Sequence, residues 1–126
     1  MSQAPTALNY RRVDTELDIT WPDGTVHRLS AEYLRVHSRS AEVRGHGAGQ
    51  AILQHGKRGV GINAIEPVGR YAVRLVFDDG HDSGLYDWGY LRELGDRFDD
   101  HWQAYLDALA AAGKSREPMF IQAKQL

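Results

Sequence analysis

The chain has 126 residues, 42% of them hydrophobic and 25% charged, with a formal net charge of −2 and no cysteine. These totals fit one globular domain with its own core, and they exclude thiol catalysis, thiolate zinc ligation and cysteine-held iron–sulfur clusters within the chain. Acidic residues outnumber Lys and Arg by 17 to 15, and neither an 18-residue apolar run nor a basic-then-apolar start is present, so a cytoplasmic protein with no nucleic-acid and no membrane partner is expected.

Residues 1–14 are polar and aperiodic and read as a flexible N-terminal arm. Leu17, Ile19 and Trp21 then alternate onto one face, and Val26 and Leu29 follow the turn residues Pro22, Asp23 and Gly24, which predicts a β-hairpin. Ser30 is placed to N-cap a short helix over 31–36, with Glu32 in its first turn. From Ser38 to Gly61 the period dissolves into a glycine-rich segment, the expected mobile loop. Strands are predicted over 62–68 and 72–77, joined by a tight turn at Val68, Gly69 and Arg70, with Tyr71, Val73, Leu75 and Phe77 on one face and Arg74 on the other. The dipeptide Asp79-Gly80 signals a type I′ hairpin turn, with the return strand at Ser83 to Tyr86. Asp87 can N-cap a helix beginning at Trp88, and a second helix is predicted from about Asp99 to Ala112, stopped by Gly113. Strands followed by helices, without alternation, predict an α+β fold. A small antiparallel β-sheet of hairpins packs with the short helix and the C-terminal helices. The domain is placed at 15–116 and a C-terminal tail at 117–126.

The densest cluster of chemical groups is Asp78, Asp79, Gly80, His81 and Asp82. It can be read as a metal site or an acid/base pair, but turns select Asp and Gly for backbone reasons alone, and the turn reading is preferred. The six histidines, His27, His37, His46, His55, His81 and His101, show no spacing that puts two imidazoles on one metal. Lys57 and Arg58, with Arg39 and Arg44, could form an anion-binding or partner-binding patch, set against a solvated loop. No phosphate-binding loop and no nucleophile elbow is present. Trp21, Trp88, Trp102, Tyr86, Tyr90 and Tyr105 are expected in core and helix packing.

One resemblance adds to this reading. The segments WPDG (Trp21 to Gly24), LR (Leu34, Arg35), IEPVGRYAV (Ile65 to Val73), FDDGHDSGLY (Phe77 to Tyr86) and WGYLREL (Trp88 to Leu94) resemble the gamma-butyrobetaine-hydroxylase-like N-terminal domain, in a stand-alone bacterial form. In hydroxylases that domain precedes an iron/2-oxoglutarate catalytic domain and holds zinc through three cysteines and one histidine. The resemblance places those ligand positions at Ser38, Ser40, Val43 and His81. Hydroxyls are poor zinc ligands and the thiolates are gone, so His81 is expected as the remnant of a site that is not occupied. No facial triad follows, so no hydroxylase activity and no cofactor is expected. Similar domains fused to iron–sulfur-carrier ATPases imply an accessory role near cluster assembly. The resulting expectation is a non-catalytic binding or adaptor domain with a protein partner. The alternative is a metal-binding module in which His81 is joined by His37 or His46 and by Asp79 or Glu42. A small-molecule enzyme using His81 and Asp82 ranks third.

Overall fold

The computed structural model describes residues 3–39 and 52–118. Two three-stranded antiparallel sheets are present, with strand orders β1-β2-β3 and β4-β5-β6. The strands are β1 (Ala7–Arg11), β2 (Glu16–Thr20), β3 (Val26–Ser30), β4 (Ile62–Val68), β5 (Ala72–Phe77) and β6 (Gly84–Asp87). Helix α1 (Ala31–Val36) links the sheets, and α2 (Trp88–Asp96) and α3 (Phe98–Ala112) close the chain. This is the expected α+β class, built from two small sheets rather than one.

The β2–β3 hairpin forms where the turn chemistry placed it. Gly24 takes φ +89°, its amide donates to the Trp21 carbonyl at 2.9 Å, and Asp23 Oδ1 accepts from the Thr25 amide at 3.0 Å. Leu17, Ile19 and Trp21 are all buried, so the period-2 pattern marks the core face. Ser30 caps α1 by accepting from the Tyr33 amide at 3.0 Å, and Asp87 caps α2 by accepting from the Tyr90 amide at 2.8 Å. Gly113 ends α3 in the left-handed region at φ 67°.

Three expectations need correction. The N-terminal residues are not a free arm: β1 pairs with β2 from Ala7↔Thr20 to Arg11↔Glu16. Leu8 and Tyr10 pack against the core, and the Tyr10 hydroxyl accepts from the Ile62 amide at 2.9 Å, tying one sheet to the other. Two apolar residues in a five-residue strand are too weak a period to see, and the turn that follows uses Thr15 at φ 52° instead of glycine. Second, the turn before β6 is not type I′, which needs two positive φ values. Gly80 has φ +92°, and Asp79 is not in that region. The Phe77 amide donates to the His81 carbonyl across a three-residue loop, the class in which one glycine takes the positive-φ position. Third, the stretch expected to be a mobile loop is anchored in its second half. The Gly56 and Arg58 amides donate to the Ser115 and Arg116 carbonyls at 2.9 and 3.0 Å, and the Tyr105 hydroxyl donates to the Gln54 carbonyl. Residues 40–51 of that stretch lie outside the described residues.

One continuous core joins Leu17, Ile19 and Leu29 of the first sheet to Val73, Leu75, Phe77 and Tyr86 of the second, with Tyr33, Leu34, Leu91 and Leu94 from the helices. Helix α1 sits at its centre. Six residues are too few for a helix stable by itself, and its terminal carbonyls need partners. Tyrosine hydroxyls supply two of them: Tyr86 donates to the Leu34 carbonyl and Tyr90 to that of His37. Tyr33 reaches outward in turn, donating to the Leu94 carbonyl of α2 at 2.7 Å.

Candidate functional site

Three segments meet beside the C-terminal end of α1. From the helix and its exit come Arg35 and Ser38, from the approach to β4 comes Lys57, and from the β5–β6 turn come Asp79 and His81. Ser38 Oγ and His81 Nε2 are hydrogen-bonded at 2.8 Å, with both residues at least 96% buried. Asp79 Oδ2 accepts from Arg35 Nε at 2.8 Å and from Lys57 Nζ at 2.6 Å. Asp79 Oδ1 accepts from the His81 amide at 3.2 Å. Burial alone would push the Asp79 carboxyl up, but the Lys57 bond, the His81 amide and the Arg35 charge outweigh it and hold it below the usual carboxylate range. Arg35 Nη1 is buried with no hydrogen-bond partner among the described residues.

Gly84 makes this packing possible. A Cβ there would stand 2.9 Å from Ser38 Oγ and 3.1 Å from Tyr86 Cε1, so the glycine that opens β6 is a close-approach position.

The remaining sequence candidates lie elsewhere. His37 is not brought to His81 and Asp79 as a third ligand. Its Nδ1 meets the Tyr33 carbonyl at 2.8 Å, and its ring packs at tilted and edge-on angles against Tyr33, His101 and Tyr105. Burial lowers its pKa, with His101 adding to the effect and the Tyr33 bond opposing it. Among the described residues no three His, Cys, Asp or Glu side chains gather in a group able to hold a metal ion. Asp82 is exposed, and its carbonyl accepts from Arg74; it does not join His81 as an acid/base partner. Ser40, Glu42, Val43, Arg44 and His46 lie outside the described residues. The basic residues expected as a patch are engaged singly: Lys57 with Asp79, Arg58 with Glu117, and Arg39 stacked 3.5 Å from the Tyr90 ring centre.

Two further constellations were missed from sequence. Trp21 Nε1 donates to His27 Nδ1 at 2.9 Å. An indole can only donate, so His27 Nδ1 is the acceptor and Nε2 faces Asp96 Oδ1 at 3.0 Å. Arg92 adds bonds to Asp23 and Asp96 and lies 5.4 Å from the Trp21 ring, so the first hairpin is clamped onto α2. The second constellation is a half-buried ion pair: Arg116 Nε and Nη2 donate to both carboxylate oxygens of the buried Glu32 at 2.8 and 2.7 Å, while Arg116 lies over Trp102. It holds residues 114–116 against α1. Carboxylate-to-arginine separations of 84 positions carry no local signal.

The fold and these contacts define a small α+β domain in which His27 and His81 are held by side-chain bonds. Comparison places it more closely. A model of the family described as "Gamma-butyrobetaine hydroxylase-like, N-terminal" matches residues 8–92, and the chain belongs to that family. Two proteins solved by solution NMR are similar over nearly all of it. One is 46% identical, covering 98% of this chain and 97% of its own, with a TM-score of 0.82. The other is 48% identical, covering 97% and 91%, with a TM-score of 0.79. A crystal structure from Acidithiobacillus ferrooxidans, a protein of unknown function in the DUF971 family, is 33% identical, covering 72% of this chain and 91% of that one, with a TM-score of 0.57. No curated protein matches. No helix among the described residues is long and apolar enough to cross a membrane.

Proposed function

We propose that the chain is a non-catalytic adaptor domain that works through contacts with another protein. The observation that carries this reading is how the reactive groups are used. Ser38 and His81 are buried against each other, His27 is held between Trp21 and Asp96, and His101 Nε2 meets Glu93 at 3.2 Å. General acids and nucleophiles work from clefts that substrate can enter, whereas Ser38 and His81 are closed off by each other and His27 and His101 are each engaged by a carboxylate. Apolar surface remains outside: Tyr71 beside β5 and Leu85 on β6 are large exposed side chains of the second sheet. A reducing cytoplasm suits a chain without cysteine. The resemblance to domains fused to iron–sulfur carriers suggests where partners would be sought.

The test is a photocrosslinker at position 71 or 85 in the native host, followed by calorimetry with the purified adduct partner. A defined partner with saturable binding supports the proposal. Conversely, incubation of the pure chain with a metabolite extract, with turnover that His81→Ala abolishes, overturns it.

A further inference from the structure

We propose that a metal-free tie stands where the resemblance to the hydroxylase domain would place a zinc site. The Ser38–His81 hydrogen bond and the Arg35–Asp79–Lys57 ion cluster together join the end of α1, the approach to β4 and the β5–β6 turn. Four observations carry this. The two donors touch: Ser38 Oγ and His81 Nε2 are 2.8 Å apart, whereas ligands about 2.0–2.1 Å from a tetrahedral zinc stand about 3.3 Å from each other. The β6 side is closed, since a single added carbon at Gly84 would already meet Ser38 Oγ at 2.9 Å. The donor chemistry is wrong, because a hydroxyl replaces a thiolate at Ser38 and the chain holds no cysteine to supply one. The charge is wrong as well. Arg35 and Lys57 bring two cations against the single carboxylate of Asp79, an excess of positive charge next to the place a divalent cation would occupy.

The tie satisfies the same mechanical need with neutral and paired groups. Serine and histidine can share a buried hydrogen bond with no charge to desolvate. The neighbouring carboxylate accepts from the His81 amide, so the turn is gripped by both its backbone and its side chain. The proposal does not depend on the identity of any partner.

Elemental analysis and thermal melts test it on the full chain. The purified protein is expected to carry no stoichiometric zinc, and its midpoint is expected to be the same with and without EDTA. Ser38→Ala and His81→Ala are each expected to lower the midpoint by several degrees. The double variant is expected to lose less than the sum of the two single variants, because the two share one bond. One zinc per chain, a midpoint that falls with EDTA, or losses that simply add in the double variant would overturn it. Should His81→Ala not fold, Ser38→Ala with hydrogen exchange at residues 78–84 decides. Exchange there that quickens relative to the parent chain while β2 stays the same supports the tie, and exchange unchanged from the parent refutes it.

Discussion

Removing one oxygen atom from Tyr86 tests whether tyrosine caps hold α1 in place. The Tyr86 side chain is fully buried, and its hydroxyl donates to the Leu34 carbonyl, one of the terminal carbonyls the helix cannot satisfy internally. Burial raises its pKa far above the ordinary tyrosine value, the Ser38 and Arg35 contacts opposing the rise, so it stays a neutral donor. Tyr86→Phe keeps the ring and its packing but leaves that carbonyl buried without its donor, at about 1–3 kcal/mol. For a domain of this length each kcal/mol moves the melting midpoint by roughly 3–6 °C, which puts the expected loss at roughly 3–18 °C by differential scanning calorimetry. Tyr71→Phe is the control. Tyr71 is 61% exposed, and its substitution should stay within about 0.5 kcal/mol of the parent. A Tyr86→Phe midpoint within a degree of the parent, or an equal loss from Tyr71→Phe, would refute the capping argument.

Gly95→Ala should destabilise, although alanine favours a helix by about 1 kcal/mol over glycine. Its Cβ would fall 2.2 Å from His27 Nδ1, so denaturant titration should show a loss, and the His27→Ala background should convert it to a gain. Gly80→Val should cost about 1–3 kcal/mol through backbone strain at φ +92° alone, since a Cβ there meets nothing; Gly80→Asn should cost less, both read from chemical melts. Stability should fall on acidification in two windows. The lowered pKa of His37 means the unfolded chain takes up its proton first, so stability is lost as pH falls below about 6.5. The lowered pKa of Asp79 makes its share present above the ordinary carboxylate value of 3.8 and lost as pH falls past it toward the depressed value. His37→Gln should flatten the upper window and leave the lower one, in melts run from pH 7 to pH 2.

Much of the fold was legible because local chemistry and burial agree. Ser30, Asp87 and Gly113 mark three helix ends by capping alone, and the alternation of Leu17, Ile19 and Trp21 names a core face. β1 was not legible: Leu8 and Tyr10 are its only inward anchors, and its partner strand, not its own pattern, makes it a strand. At the candidate site, the resemblance put Ser38 and His81 in one place, and the structure brings them into contact. Arg35 and Lys57 were not expected there, because a pair such as Arg35–Asp79, 44 positions apart, leaves no trace in a single sequence. The type I′ expectation failed because an Asp-Gly pair supports two turn classes, and the hydrogen bond from Phe77 to His81 selects the longer one.

The central claim is that His81 is a structural partner of Ser38 and neither a metal ligand nor a catalytic base. A long-range proton–nitrogen spectrum of the His81 ring, recorded on the purified chain, after EDTA and after one equivalent of zinc, tests it most directly. The account predicts ring nitrogens that do not move through the series and that change when Ser38 becomes alanine. A His81 Nε2 signal that shifts on zinc addition and returns with EDTA, or one indifferent to Ser38→Ala, would contradict it.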